Sequence, residues 1–378
     1  MSCDRERRRL LRGGAAALML GGLAGCGTTL TGDRRSHRTR ITLAGQALMT
    51  HPLCGDRYEG LDAVISELRR GQVAFTDLEI AIRTPASGVP TREGGFLHTA
   101  SSDVLDCLRA MGFNLLALSN NHAWDLGTEG VLATRAAVAA AGFGFAGTGE
   151  DLAAASEPGF VEAGATVGLV AMATGKIRDG ASATPARAGV NELRFADGRL
   201  DEEDVARNLA AIAAASDRAE YVIAYLHNHQ WGEDMAVTKP WARDFARRCV
   251  DAGAQLFASH GAPLLHGIEL YRGRPLLHGL GSLVFHSRTA PGHYPPEVWE
   301  SAIVHCDFED GLLRALEVVP VVLNELGDDP ARHLETRGRP RIASGDDRRR
   351  VLGRLAGLSS ALGAELRVDG ATAVLDLG

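Results

Sequence analysis

Four short segments each follow an apolar run with side chains that can do chemistry. Phe75-Thr76-Asp77-Leu78-Glu79 sets two carboxylates two residues apart. Along a strand such residues share a face, so Asp77 and Glu79 can converge on a metal ion or a shared proton. Asn120-Asn121-His122, with Asp125 just beyond, gathers amide, imidazole and carboxylate groups after the apolar run Leu115–Leu118. His227-Asn228-His229 repeats the two-residue spacing with imidazoles, a frequent metal-ligand arrangement. Ser259-His260-Gly261 ends a fourth apolar run. Each segment alone has a plainer reading: a solvated acidic pair, an Asn-rich turn that tolerates left-handed backbone, one core and one exposed histidine, a lone histidine after a strand. Together they place ligands and proton carriers at the carboxyl ends of buried strands, where sheet folds bind their ligands.

The elements that must position them follow from periodicity. Strands are expected over Ile41–Leu43, Val73–Phe75, Leu115–Leu118, Val167–Ala173, Tyr221–Leu226 and Leu256–Ala258. Most are continuous apolar runs, as strands covered on both faces require. Helices are expected over Asp103–Met111, Thr128–Ala141, Asp201–Ala215 and Trp241–Ala252, with Gly112, Gly142 and Gly253 as stops and Pro240 in a first turn. The alternation predicts an α/β domain. Beyond Arg274, Leu276–Phe285, Ser301–Phe308 and Leu313–Val322 read as longer antiparallel strands that complete a two-sheet sandwich. An Arg-rich helix over Asp346–Leu362 and a hairpin over Glu365–Leu377 follow. The stretch from His293 to Glu300 reads as a rigid loop able to overhang the site, and Trp124 and Trp231 as pocket walls or core.

With 378 residues, 45% of them hydrophobic, the chain can bury a large core. Arg7-Arg8-Arg9-Leu10-Leu11-Arg12, before the small apolar run Gly13 to Ala24, resembles a twin-arginine export signal. Leu23-Ala24-Gly25-Cys26 resembles a lipobox, which makes Cys26 the lipidated first residue of the mature protein. The expected organisation is a signal over 1–25, a lipidated tether over 26–40, the main α/β domain over 41–330, and a connector, helix and hairpin over 331–378 packed on it. The expected address is the cell envelope, as a periplasmic lipoprotein anchored to the membrane through Cys26. Gly27 stands where an aspartate would retain the protein at the inner membrane. Residues 26–378 carry 35 basic and 45 acidic side chains, a net charge of −10 that argues against a nucleic-acid partner. Cys54, Cys107, Cys249 and Cys306 show no CxxC spacing. Cys107 and Cys249 fall in amphipathic helices as small buried hydrophobes; an oxidising compartment allows a disulfide, and export in the folded state argues only against a fold that needs one to form.

The order Asp-x-Glu, Asn-Asn-His, His-x-His, Ser-His-Gly resembles that of the CapA family of capsule and poly-γ-glutamate synthesis proteins. Asp251-Ala252-Gly253-Ala254, the run from His266 to Gly273 and Leu280-Gly281-Ser282-Leu283-Val284-Phe285 match it too, so the resemblance spans Ile41 to Asp307. It implies a calcineurin-like metallophosphoesterase fold: α/β, a two-sheet β-sandwich flanked by helices in four α-β-β-α layers. It implies Glu79, Asn121, His227 and His260 as metal ligands, Asp77 and His229 in support, and His122 as proton donor to the leaving oxygen. Two positions depart from the family pattern. Gln46 stands where a Gly-Asp pair supplies a carboxylate, and Pro263 where the last histidine belongs. A neutral amide is a poor substitute for a carboxylate beside two dications, so the expected cofactor is one divalent metal, Mn, Fe or Zn, rather than a metal pair.

The expected activity is hydrolysis of a phosphoester, or of an anionic peptide or polyamide, linked to capsule or poly-γ-glutamate synthesis. In a metal-free form His122, Glu79, His227 and His260 would instead serve acid–base chemistry on peptides, as in an isomerase or epimerase. The alternative is a non-catalytic factor that binds or exports an anionic surface polymer. Arg243, Arg247, Arg248, Arg272 and Arg274 would then form its basic patch, unless they are an ordinary solvated face.

Overall fold

A computed structural model describes residues 38–55, 58–92 and 97–377. The expected signal over 1–25, Cys26 and the tether up to residue 37 lie outside the described residues; Arg38 to Arg40 already belong to the first strand.

The apolar runs form strands as their composition requires. β1 (Arg38–Ala44), β2 (Val73–Asp77), β3 (Leu115–Ala117) and β4 (Gly144–Ala146) lie side by side, β1 to β4 in parallel. The chain then builds a second sheet from β5 (Gly159–Glu162), β6 (Thr166–Thr174), β7 (Tyr221–Asn228), β8 (Leu256–His260), β9 (Ile268–Tyr271) and β10 (Arg274–Leu277). Its order is β9-β10-β8-β7-β6-β5, with β6, β7, β8 and β10 parallel. The chain returns to the first sheet with β11 (Glu300–Glu309), β12 (Leu312–Leu323), β13 (Pro340–Ile342), β14 (Leu366–Asp369) and β15 (Thr372–Leu375). Their antiparallel hydrogen bonding completes the order β14-β15-β12-β11-β1-β2-β3-β4, with β13 beside β12.

Successive side chains of a strand point to opposite faces, and here both faces are apolar. Ile41, Leu43, Val73 and Phe75 of the first sheet pack against Leu169, Ile223, Tyr225 and Ala258 of the second, forming the core between the sheets. Ala44, Ala74 and Leu116 face the other way, onto α1 (Leu61–Leu68), α2 (Asp103–Met111) and α3 (Gly127–Ala140). Val170, Met172, Val222 and Ala224 likewise meet α4 (Glu202–Ser216) and α5 (Pro240–Asp251). The architecture is four layers, helix, sheet, sheet, helix. Val351, Leu352 and Leu355 of α6 (Gly345–Ser360) add to the core between the sheets.

Two expectations are corrected. Leu276–Phe285 is not one strand. β10 ends at Leu277, and Ser282–Phe285 pairs in parallel with Gln46–Leu48. The break is at Gly279-Leu280-Gly281, where Gly281 takes a φ of 68°, backbone that favours glycine. Cys107 does lie on the inner face of α2, but as a disulfide with Cys54 rather than as a free hydrophobe. Helical periodicity reports that a residue faces inward, not what meets it there. Cys249 and Cys306 are free and buried, and burial pushes both thiols well up.

Candidate functional site

All four segments arrive at the same end of the sandwich because β2, β3, β7 and β8 release the chain there. β2 delivers Asp77 and then Glu79, β3 leads into Asn120–His122, β7 into His227–His229, and β8 ends at His260. The loops hold shape through their own polar groups. Asn120 donates from Nδ2 to Asp77 Oδ1 at 3.0 Å and to the Leu78 carbonyl at 2.8 Å, and its Oδ1 accepts from the His122 amide at 3.0 Å.

The structure brings Glu79, His227 and His229 together, with one candidate ligand atom of each within 4.8 Å of the others. Asn121 joins them, its Oδ1 2.9 Å from His227 Nε2. The other ring nitrogen of His227 faces Asp77 Oδ2 at 3.0 Å. A neutral imidazole carries one N–H, so it cannot donate to both acceptors. If the proton points to Asp77, the Nε2 lone pair faces the Asn121 oxygen and, at 3.8 Å, Glu79 Oε1. Glu79 Oε2 and both ring nitrogens of His229 are buried without a hydrogen-bond partner. Burial, together with the Asp77 and Asp125 carboxylates, pushes the Glu79 carboxyl well up. Burial, then His227, holds His229 well below the usual imidazole range. Lone pairs turned toward one another, and a buried carboxyl raised by its neighbours, are what a cation would relieve. One carboxylate, one amide and two imidazoles also form an N/O donor set of ordinary size for a transition metal. These residues fit a single divalent ion.

Asp77 and His260 stand outside that group. Asp77 lies behind His227 and orients it. His260 pairs in register with His227 across the parallel strands, yet the Tyr225 hydroxyl sits between them, 3.4 Å from His227 Nδ1 and 3.3 Å from His260 Nδ1. Burial holds His260 down at about 4. Gln46 is buried, and its Oε1 accepts from the Gly261 amide at 3.0 Å. The residue in the carboxylate's place is thus a tether for the His260 loop.

His122 forms a second centre. Its Nδ1 is 2.8 Å from Asp125 Oδ2, which also accepts from the His98 amide at 2.8 Å. Arg92 Nε lies 2.6 Å from the other Asp125 oxygen, and Arg92 donates to the Asn121 carbonyl. Burial pushes Asp125 up to about 6 against the pull of the His98 amide and Arg92. Burial and Arg92 together hold His122 well below its ordinary value. The His98 ring meets that of His122 at 4.2 Å.

Both centres open on one cavity of 470 Å³, with Glu79, Asn121, His122 and His229 on its wall. Trp231, Lys176 and Arg92 line it, as do His293 and Tyr294 of the overhanging loop. Trp124 does not; its Nε1 donates to Thr128 at 3.2 Å. Sequence reasoning passed over Arg92, His98, Lys176 and Tyr225. Tyr225 shares the strand face of His227, and Lys176 follows β6 as the other site residues follow their strands, so both had a signal. Arg92 and His98 come from a connection with none. Four of the five arginines of the expected basic patch are paired with acids: Arg243 and Arg247 bind Glu269, Arg248 binds Glu202, and Arg272 binds Asp251, while Arg274 donates to the Gly311 carbonyl.

The family model described as "Bacterial capsule synthesis protein PGA_cap" matches residues 28–287. A probable polyglutamine synthesis accessory protein of Mycobacterium tuberculosis is 32% identical over 59% of this chain and 59% of its own. The capsule biosynthesis protein CapA of Bacillus anthracis is 27% identical over 61% of this chain and 53% of its own. Among solved structures, the NAD nucleotidase of Haemophilus influenzae superimposes with a TM-score of 0.40 at 11% identity, covering 85% of this chain and 56% of that one.

Proposed function

Because the chain belongs to the bacterial capsule synthesis protein family PGA_cap, we propose that it is a metal-assisted hydrolase serving capsule synthesis, acting on an anionic peptide or polyamide or on a phosphoester. The observation that carries this reading is the convergence of Glu79, His227 and His229, with Asn121, at a cavity that also holds the His122–Asp125 pair.

Glu79, Asn121, His227 and His229 would hold one Mn, Fe or Zn ion. When bound, such an ion polarises a substrate oxygen and makes water more acidic. The remaining chemistry belongs to the chain. Asp77 fixes the proton of His227 on Nδ1 and so turns Nε2 toward the ligand group. His122, its Nδ1 held by Asp125, presents Nε2 to the cavity and moves a proton between water and the leaving atom. Arg92 keeps Asp125 charged for that task. His260 and Tyr225 back His227 from the core side. The overhanging loop and Trp231 wall the cavity against bulk water.

The proposal extends to location. The resemblance of Arg7–Arg12 and Leu23–Cys26 to an export signal and lipobox supports a periplasmic lipoprotein held to the membrane by lipid on Cys26. Cys26→Ala should move the protein from the membrane to the soluble envelope fraction; retention in the membrane fraction would refute the anchor.

The function is tested first by elemental analysis of protein purified without chelator. Near-stoichiometric Mn, Fe or Zn is expected, and should be lost in His227→Ala. His122→Ala should keep the metal and the fold while turnover on the peptide or phosphoester found by screening falls by roughly 10²–10⁴. A folded protein that neither contains nor takes up metal would overturn the reading.

A further inference from the structure

Arg337 is the largest fully buried side chain among the described residues, and the chemistry of the cavity does not use it. It comes from the connector between β12 and β13, beyond the residues 28–287 that the family model matches. Its surroundings pair it poorly. Glu325 Oε1 is 3.6 Å from Nη2, the centre of the Trp299 ring is 4.8 Å from Cζ, and Nε and Nη2 have no hydrogen-bond partner. Burying a cation so incompletely paired costs free energy that an apolar side chain would not. What the guanidinium can do, and an apolar side chain cannot, is donate. Nη1 donates to the Thr289 carbonyl and, at 3.4 Å, to that of Ser287.

Both carbonyls belong to the loop that overhangs the cavity, of which Ser287, Thr289, His293 and Tyr294 form part of the lining. The same connector supplies a second tie, because Glu325 Oε1 accepts from the Gly292 amide at 2.7 Å. The base of the loop is fixed as well. The Phe285 amide donates to the Gly338 carbonyl at 3.1 Å. Gly338 takes a φ of 72°, and a Cβ there would strike the Phe285 carbonyl. Between its ties the loop holds itself weakly. Arg288, Ala290, Pro291, Gly292 and His293 are exposed, and the backbone bond within it runs from the His293 amide to the Ala290 carbonyl at 3.2 Å. Pro291, Pro295 and Pro296 fix φ along it, so a loop freed from its ties moves as one piece. We propose that Arg337 and Glu325 are positioning residues that clamp this loop over the cavity, so that the connector after β12 governs entry to the ligand group. The clamp goes beyond the hydrolase reading, since it needs the cavity and not the reaction.

The experiment uses the whole purified protein, freed of metal by chelation, so that neither metal nor substrate enters it. Two rates are followed by mass spectrometry: amide hydrogen exchange over residues 288–294, and modification of His229 by diethyl pyrocarbonate. The ring nitrogens of His229 have no hydrogen-bond partner, so reagent that reaches them has no bond to break. His293 is exposed and serves as the reference for reagent. Glu325→Ala should speed loop exchange by about tenfold, the factor expected for one lost hydrogen bond, and speed His229 modification relative to His293. Arg337→Met, which leaves two carbonyls without their donor, should raise both rates further. Glu325→Gln keeps an acceptor for the Gly292 amide and should stay near the native rates. Exchange in β6 and β7 should not change in any variant. Three results would each overturn the clamp: unchanged loop exchange in Glu325→Ala, faster exchange that spreads equally through β6 and β7, or faster loop exchange with His229 reacting as before. Should Arg337→Met fail to fold, Glu325→Ala decides alone, since its side chain is only partly buried. A protein that passes this test but holds no metal keeps the clamp and loses the hydrolase reading; one that holds metal but fails here does the reverse.

Discussion

Asp77 shows how a carboxylate can govern a site without touching its ligand. It accepts from Asn120 on one oxygen and faces His227 Nδ1 on the other, so one side chain sets both a loop and a tautomer. Asp77→Asn keeps the shape but allows the amide to donate to Nδ1 and turn the imidazole proton toward Asn121. We expect metal affinity to fall about 10- to 100-fold, measured by competition with a chelator, with unfolding little changed. His229 differs. Both its ring nitrogens are buried and unpartnered, so His229→Ala should release metal outright in elemental analysis. His260→Ala should leave most metal in place, because the Tyr225 hydroxyl separates it from the ligand group. Metal lost equally in His229→Ala and His260→Ala would contradict this ranking.

At the scale of elements, the loops at the strand ends are held by bonds that cross between sheets. Gln46 leaves the first sheet to receive the amide of Gly261, which follows β8 of the second. Gly261 takes a φ of 115°, and a Cβ there would strike the Asn228 carbonyl. Gln46→Ala leaves a buried amide without its acceptor. Denaturant unfolding should show a loss of about 1–3 kcal/mol, and Gly261→Ala a larger one. An unchanged midpoint in Gln46→Ala would mean the tether contributes nothing. The Cys54–Cys107 disulfide ties the segment after Leu48 to α2 and closes 53 residues of chain. Replacing both cysteines by serine should cost about 2–4 kcal/mol in the same measurement, chiefly by freeing the unfolded chain.

At the scale of the molecule, the outer helices are locked to the sheets by buried acids. Glu269 on β9 is 2% exposed and receives Arg243 and Arg247 from α5, with His278 at 3.2 Å. Burial alone would raise its carboxyl, but the bonds from His278, Arg243 and Arg247 prevail and hold it at about 2. A carboxyl depressed from 4.5 to about 2 in the folded state contributes stability that is complete above pH 4.5 and is lost as pH falls through about 2. Glu269→Gln should therefore destabilise the protein at pH 7 and remove part of the fall in stability between pH 4.5 and 2. Parallel stability–pH curves for the variant and native protein would refute this. Glu300 on β11 plays the matching part, taking Arg350 and Arg354 from α6.

The polar residues after each apolar run, and the even apolar character of those runs, were enough to read an α/β sandwich with its chemistry at the strand ends. Both are local properties: a strand covered on two faces must be apolar throughout, and the polar groups that serve a site stand where that run stops. Helix limits were equally legible, with Asp103–Met111 and its Gly112 stop found as read. Depth and partnership were not. That His229 joins Glu79 while His260 stands behind Tyr225 depends on where the phenol two residues before His227 fits between neighbouring strands. The Cys54–Cys107 bond, the pairing of Arg243 and Arg247 with Glu269, and the entry of Arg92 and His98 into the site each join distant segments. No periodicity encodes them; only the closure of two sheets on one core brings those atoms within reach.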